Sequence, residues 1–176
     1  MKSNSVVEDE LEFLRKENRI LKALQESSVD GILVVDENAR IISCNERFLE
    51  MMNVPSGVPI EGHDLPLLNH LTTQVAEPDA FLARVRELYK DKRATGNDEI
   101  LLANGSIYER YTSPMYGPDN SYYGRVWYFH DITEIRRSEK SLRSSEERFR
   151  AISEYSFNSI CILNTAGKVT WVNDAM

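Results

Sequence analysis

The chain of 176 residues has two cysteines, Cys44 and Cys161, far apart and without metal-ligand spacing around either. They read as reduced thiols acting as small buried hydrophobes. Met1 to Glu10 is polar and acidic and lacks the basic start and apolar stretch of a signal peptide. No apolar run approaches the roughly 18 residues that a membrane span requires. The expectation is a cytoplasmic chain with no membrane segment of its own. Also missing are a Gly-rich phosphate loop, an H-E-x-x-H pair and a nucleophile elbow. Glu8, Asp9 and Glu10 belong to the polar N-terminus, and Asp91, Asp98 and Glu99 read as helix-end and turn charge. No catalytic constellation emerges, so the chain reads as a non-enzyme, with any catalytic output domain outside it. Positive charge is scarce as well: 21 Lys and Arg against 28 Asp and Glu leave a net charge of −7. That balance disfavours a nucleic-acid surface, which needs clustered cations.

What is present suits one or two small domains, with 41% apolar residues for a core. Val7 to Gln25 reads as a helix with a narrow seam. Val7, Leu14 and Leu21 fall on heptad position d, and Leu11, Asn18 and Gln25 on a. A seam this narrow suits a partner helix, and Asn18 is the kind of polar a-position residue that fixes register and oligomer state. A solvated amphipathic helix lying on its own domain is the other reading. A second charged helix, Thr133 to Ile152, repeats Ile135, Leu142 and Phe149 every seven residues.

Between these helices the text is mixed. Ile32 to Val35 is a short apolar run, residues 36–39 turn, and Arg40 to Cys44 returns as a strand. Asn45 can cap a helix from Glu46 to about Met52. Pro55, Gly57, Pro59 and Gly62 mark a loop, and a short helix from Leu65 to Leu71 follows. Pro78 opens a helix over Asp79 to Lys92, with Phe81, Leu82, Val85, Leu88 and Tyr89 as its apolar stripe. Three strands come next: Asp98 to Ala103, Ile107 to Met115, and Tyr122 to Ile132. Asn104-Gly105 makes the first turn between them. In the middle strand Ile107, Glu109, Tyr111 and Ser113 share one side. Short turns imply antiparallel pairing, and the last strand needs a partner beyond its hairpin neighbour. The economical solution is an α+β domain: a five-stranded antiparallel sheet with helices on one face, flanked by coiled-coil-type helices.

Shifted by 128 residues, the chain matches itself without a gap. Ala23, Glu26, Ser28, Ile32 and Asn45 fall on Ala151, Glu154, Ser156, Ile160 and Asn173. Asp30 falls on Asn158, Asp36 on Asn164 and Arg40 on Lys168. The organisation is therefore read as an N-terminal helix over 1–26, a domain over 27–132, a linker signalling helix over 133–152, and the start of a second domain over 153–176. A lone hairpin is marginal in water, so the expectation is a piece of a longer tandem array.

In this order of elements the chain resembles the PAS family of sensory domains. Ser28 to Asp36 looks like the usual first strand. Arg40 to Asn45 resembles the second strand ending in the family's frequent Asn, with Phe48 three residues on. Ile60 to His63, then Ala103 to Gly105 with Tyr108-Glu109, and Asp131-Ile132-Thr133 followed by Glu134 are similar to later landmarks of the family. The resemblance implies a sensor and dimerisation module inside a sensor histidine kinase or a cyclic-dinucleotide enzyme of bacterial or archaeal type. Asp131 and Thr133 are then signal-transmission candidates, since either can cap the following helix and join strand to helix without a flexible linker. A simple N-cap is the equal alternative.

The family's cofactors find little support. Covalent flavin photochemistry needs a Cys inside an Asn-Cys-Arg-Phe context on a helix, whereas Cys44 precedes Asn45 at a strand end. Haem-binding relatives supply a His from the long helix before the third strand, and Asp79 to Lys92 contains none. His63, His70 and His130 read as surface, capping or strand residues. The cofactor stays unknown. Phe48, Met52, Phe81, Val85, Tyr111, Trp127 and Phe129 are the ligand-pocket candidates, against the alternative of plain packed core. Strand parity leaves open whether Trp127 and Phe129 or Tyr128 point inward. The partners expected are a second copy, through Leu11, Leu14, Asn18, Leu21, Ile135, Leu142 and Phe149, and a small-molecule ligand. The alternative is a ligand-free dimerisation spacer.

Overall fold

Alternation and turn chemistry along the chain produce the expected order of elements. The computed structural model describes the backbone of residues 2–154 and 159–173 and the side chains of 8–153 and 159–173. Ser156 and Asn158, repeat partners of Ser28 and Asp30, and the side chains of Val7 and Glu154 lie outside them. The chain divides into two units, Met1–Ile132 and Thr133–Met176.

The first unit opens with helix α1 (Lys2–Glu26), followed by strands β1 (Gly31–Asp36) and β2 (Arg40–Cys44). Helix α2 (Glu46–Met51), the two-residue strand β3 (Gly62–His63), α3 (Leu65–Gln74) and α4 (Pro78–Lys90) come next. A meander of β4 (Gly96–Leu101), β5 (Ile107–Tyr116) and β6 (Tyr122–Asp131) closes it. The sheet order is β3-β2-β1-β6-β5-β4, antiparallel throughout. The last strand finds its second partner in β1, with Gly31 opposite Phe129 and Leu33 opposite Trp127. The expected five strands are therefore joined by a sixth, β3, an edge strand made only by Arg40 and Ile41 pairing with His63 and Gly62. Two residues in a Gly- and Pro-rich loop carry no alternation, which is why the text reads as loop there.

One sheet face buries Leu33, Val35, Ile100, Tyr108, Trp127 and Phe129 against Phe48 and Met51 of α2, Leu67 and Leu71 of α3, and Phe81, Val85 and Leu88 of α4. At Gly31 a Cβ would stand 2.9 Å from the Phe48 Cα, so only glycine lets α2 lie this close to β1.

Asn45 fixes this corner. It is fully buried, and all four of its side-chain hydrogen-bonding positions are used. Its Oδ1 accepts from the Ile32 N–H (2.8 Å) and, as the N-cap of α2, from the Phe48 N–H (3.0 Å). Its Nδ2 donates to the carbonyls of Gln25 (3.0 Å) and Asp30 (2.9 Å). The end of α1, the start of β1 and the start of α2 thus converge on one amide.

The second unit holds α5 (Thr133–Glu154), β7 (Cys161–Leu163) and β8 (Val169–Val172). Its hairpin repeats several side-chain-to-backbone bonds of the first unit at the matching positions. Asn173 Oδ1 accepts from Ile160 N–H at 2.8 Å, and its Nδ2 donates to the Ser153 carbonyl at 2.7 Å. Asp36 Oδ1 accepts from the N–H groups of Asn38 and Arg40, as Asn164 Oδ1 does from those of Ala166 and Lys168. Both hairpins bulge at the same step, and Ala39 (φ 57°) and Gly167 (φ 76°) occupy the same left-handed turn position. Cys161 departs from the expected burial: β7 is exposed along its length. Cys44 is half-buried at the end of β2, and burial, with Glu26 adding, pushes its thiol pKa up.

Asn45→Asp keeps the acceptor and removes both donors, leaving two buried carbonyls facing a carboxylate. The expected cost is about 3 kcal/mol, read as a lowered urea midpoint. An unchanged midpoint would show that the corner does not depend on this amide.

Candidate functional site

The sheet face beneath α3 and α4 encloses a small cavity of about 20 Å³, lined by residues of β1, α3, α4 and β6 together with Asp64. It has room for about one water, well below the roughly 300–1,000 Å³ of pockets that enclose drug-sized ligands. Of the seven pocket candidates, Phe81, Val85, Trp127 and Phe129 line it. Phe48 and Met52 are buried in the surrounding core. Tyr111 is a correction: it is 44% exposed on the opposite sheet face, its ring 6.1 Å from that of Tyr128. The buried side of β5 is instead Tyr108, Arg110 and Thr112. Two polar residues sit where an aromatic was expected, so the apolar signal points to the wrong parity. On β6, Trp127 and Phe129 face inward.

The interior is unusually rich in charge. Arg110 is buried and grips Asp98 with two hydrogen bonds, Nε to Oδ1 at 2.9 Å and Nη2 to Oδ2 at 2.5 Å. Its guanidinium lies 5.0 Å from the Phe81 ring centroid and 5.5 Å from that of Trp127. Arg125 is also buried, and its Nη2 donates to the carbonyls of Leu88 (2.9 Å) and Asp91 (3.1 Å). It thereby closes the C-terminal end of α4, where carbonyls lack helical partners. Trp127 therefore has a buried guanidinium on either side of it along the sheet.

Asp64 completes the site and was not among the expected residues. It stands at the N-cap of α3 but makes no side-chain cap; its carboxylate is turned into the interior and is 2% exposed. The Tyr89 hydroxyl donates to its Oδ2. His63 Nδ1 lies 3.2 Å from Oδ1, forming an ion pair with it when the imidazole is protonated. Among the described residues, Asp64 Oδ1 and Trp127 Nε1 are buried atoms without a hydrogen-bond partner. Burial raises the Asp64 pKa, against the lowering effects of Tyr89 and the His63 charge. Burial, and then the Asp64 charge, raises that of Tyr89, which stays a donor. The signal that could have exposed Asp64 is Tyr89, a hydroxyl within an otherwise apolar helical stripe.

β6 ends at Asp131 and α5 begins at Thr133, with Ile132 alone between them. Asp131 is exposed and pairs in register with Tyr108, while Thr133 is buried. The seam candidates Leu11, Leu14, Asn18 and Leu21 are exposed on α1, and Ile135, Leu142 and Phe149 on α5. The Phe149 ring also meets that of Trp171, centroids 5.7 Å apart. Among the described residues no helix is long and apolar enough to cross a membrane, and no cluster of His, Cys, Asp and Glu is placed to hold a metal ion.

A raised Asp64 pKa means that the fold binds this proton more readily than the unfolded chain does. The ionised carboxylate therefore costs stability at neutral pH. The cost fades as pH falls through the raised pKa toward the ordinary value of 3.8. Asp64→Asn keeps the Tyr89 bond and is expected to stabilise the protein by about 1 kcal/mol at pH 7, with the gain shrinking toward pH 4. Urea denaturation at several pH values reads this; a gain independent of pH would show that Asp64 does not titrate here.

A family model describing the PAS fold matches residues 26–140. A comparison with curated proteins gives no match. Among solved structures, the chain resembles the PAS domain of Bordetella pertussis BvgS, with TM-score 0.53 and 16% identity over 74% of this chain and 98% of that one. It also resembles the PAS domain of an HTR-like protein from Haloarcula marismortui, with TM-score 0.50 and 16% identity over 71% and 99% of the two chains. An RNA-binding light-oxygen-voltage receptor gives TM-score 0.52 and 17% identity over 74% of this chain and 37% of that one. At these identities the structures bear on the fold alone. With the family match, the sheet order and the helices on one face, the chain belongs to the PAS family.

Proposed function

We propose that this chain is the signal-sensing and dimerisation module of a bacterial- or archaeal-type signal-transduction protein, cytoplasmic and without catalysis of its own. The output domain, a sensor histidine kinase or a cyclic-dinucleotide enzyme, lies elsewhere in the parent protein. The observation that carries this reading is the continuity of β6 with α5. The strand that supplies Trp127 and Phe129 to the interior ends one residue before the helix begins. A change in ligand or redox state that shifts β6 is delivered through Asp131-Ile132-Thr133 to α5 with no flexible linker between. The exposed seams on α1 and α5 support a homodimer as the receiver, because apolar heptad positions in water favour a partner helix.

A second reading has its own support. The hairpin of the second unit repeats the pairing, bulge and turn bonds of the first, as in an array of repeated modules, and the interior of the first unit holds little empty volume. On that reading the domain is a ligand-free dimerisation spacer. Retention of a small molecule through purification separates the two. Native mass spectrometry with an absorbance scan is expected to show a dimer carrying extra mass; a clean apo dimer favours the spacer.

Leu14→Asp or Leu142→Asp places a charge in the seam. The expected result is a dimer dissociation constant raised at least about tenfold, read by sedimentation. An unchanged mass distribution for both would remove the seam assignment.

A further inference from the structure

One ring nitrogen at the start of α3 faces two groups that make opposite demands of it. The Leu65 N–H donates to His63 Nδ1 at 3.2 Å, and Asp64 Oδ1 lies 3.2 Å from the same atom. An imidazole nitrogen holds either a lone pair or a proton. Nδ1 therefore serves the amide only when it is unprotonated and the carboxylate only when it carries hydrogen.

Both partners need it. Leu65 is the first residue of α3, where backbone N–H groups have no carbonyl within the helix. Asp64 holds the N-cap position but makes no side-chain cap, because its carboxylate is turned inward and accepts from the Tyr89 hydroxyl. The His63 ring supplies the acceptor that the cap residue withholds. The Asp64 side chain in turn is buried, and a buried carboxylate is costly unless a charge compensates it. The imidazole beside it is 52% exposed, so solvent protons reach the ring directly.

We propose that His63 is a proton-operated switch at the head of α3. Unprotonated, its Nδ1 accepts from the Leu65 N–H and caps the helix. Protonated, Nδ1–H pairs with Asp64 Oδ1, compensates the buried carboxylate and leaves the Leu65 amide to water. Histidine changes charge between about pH 5 and 8, which sets the range in which the partners exchange. The groups around the ring act in both directions. Arg40 of β2 stands opposite His63 in the strand pairing and opposes a second positive charge, whereas Asp64 favours it. Glu61 lies two residues earlier and is exposed, and Tyr89 of α4 meets Asp64 as a neutral donor. The exchange is felt inside the domain through Asp64. Its N–H donates to the Ala39 carbonyl in the turn between β1 and β2 at 2.9 Å, and its Oδ2 is bound to α4 through Tyr89.

The test is nitrogen-15 NMR of the full chain from about pH 8 to pH 5, with the His63 and Asp64 signals assigned through His63→Ala and Asp64→Asn. At the upper end Nδ1 is expected to give the signal of an unprotonated ring nitrogen, with the proton on Nε2. The Leu65 amide signal should then move on the same midpoint as the His63 ring. In His63→Ala that step should vanish, and the Asp64 carboxyl, followed by its carbon-13 signal, should titrate higher than in the unaltered chain because the imidazolium no longer faces it. A proton on Nδ1 at pH 8 would mean that the ring donates to Asp64 throughout, and would overturn the exchange of partners. An Asp64 titration unmoved by His63→Ala would equally overturn it, since the ring would then not reach the carboxylate. The sensor reading is judged separately, by retained mass in the native dimer.

Discussion

The structure turns on a single amide. Asn45 is the point at which the leading helix, the first strand and the first helix of the domain are tied together, and every hydrogen-bonding position of its side chain is spent on backbone. A carboxylate lacks the donors, and a leucine of similar size leaves two N–H groups and two carbonyls unpaired in a dry corner. The geometry that satisfies all four is so specific that it fixes where α1 ends relative to β1. Glu26 adds to it from the last turn of α1, accepting from the Glu46 N–H at 2.9 Å. The end of α1 is thereby fixed against the start of α2.

Beyond that corner the interior is held by charge as much as by apolar packing. Two arginines are buried on adjacent strands, and each is met by fixed acceptors: Asp98 for Arg110, the last carbonyls of α4 for Arg125. Removing one partner of such a pair costs more than the pair contributes, because the remaining charge stays buried. The two guanidinium groups therefore pin α4 and β4 to the sheet. Pairing is incomplete on both sides of Trp127: among the described residues Arg110 Nη1 and Arg125 Nε are buried without a hydrogen-bond partner, as are Asp64 Oδ1 and Trp127 Nε1. Trp127 lies against both arginines and also lines the cavity.

Much of this was legible in the text, for physical reasons that can be named. The Asn-Gly turn, the capping Asn45 and the apolar stripe of Phe81, Val85 and Leu88 each carry a local signal, and each element lies within a few residues of its expected place. The self-match at an offset of 128 residues foresaw the shared hairpin geometry because the residues it aligns, Asn45 with Asn173 and Asp36 with Asn164, are those whose side chains bond the backbone. What was hidden is what depends on distant partners. Nothing near Arg110 shows that Asp98, across the hairpin, lets it be buried, so Tyr111 was taken for the inward residue. Asp64 carries no local signal in the text, because its partner Tyr89 is 25 residues away.

The size of the unpaired groups bears on whether so small a cavity can signal. A ligand shifts a conformational equilibrium only by the difference in its affinity for the two states. A tenfold shift takes about 1.4 kcal/mol, which is within the roughly 1–3 kcal/mol recovered when a single buried unsatisfied polar group is paired. Large ligand volume is not required for a large effect; what is required is that the strand holding the ring also carry the output. On the sensor reading proposed above β6 is that strand, with Trp127 four residues before its final residue, Asp131. Asp131 in turn stands two residues before the first residue of α5. Between β6 and α5 a single residue, Ile132, lies outside both elements.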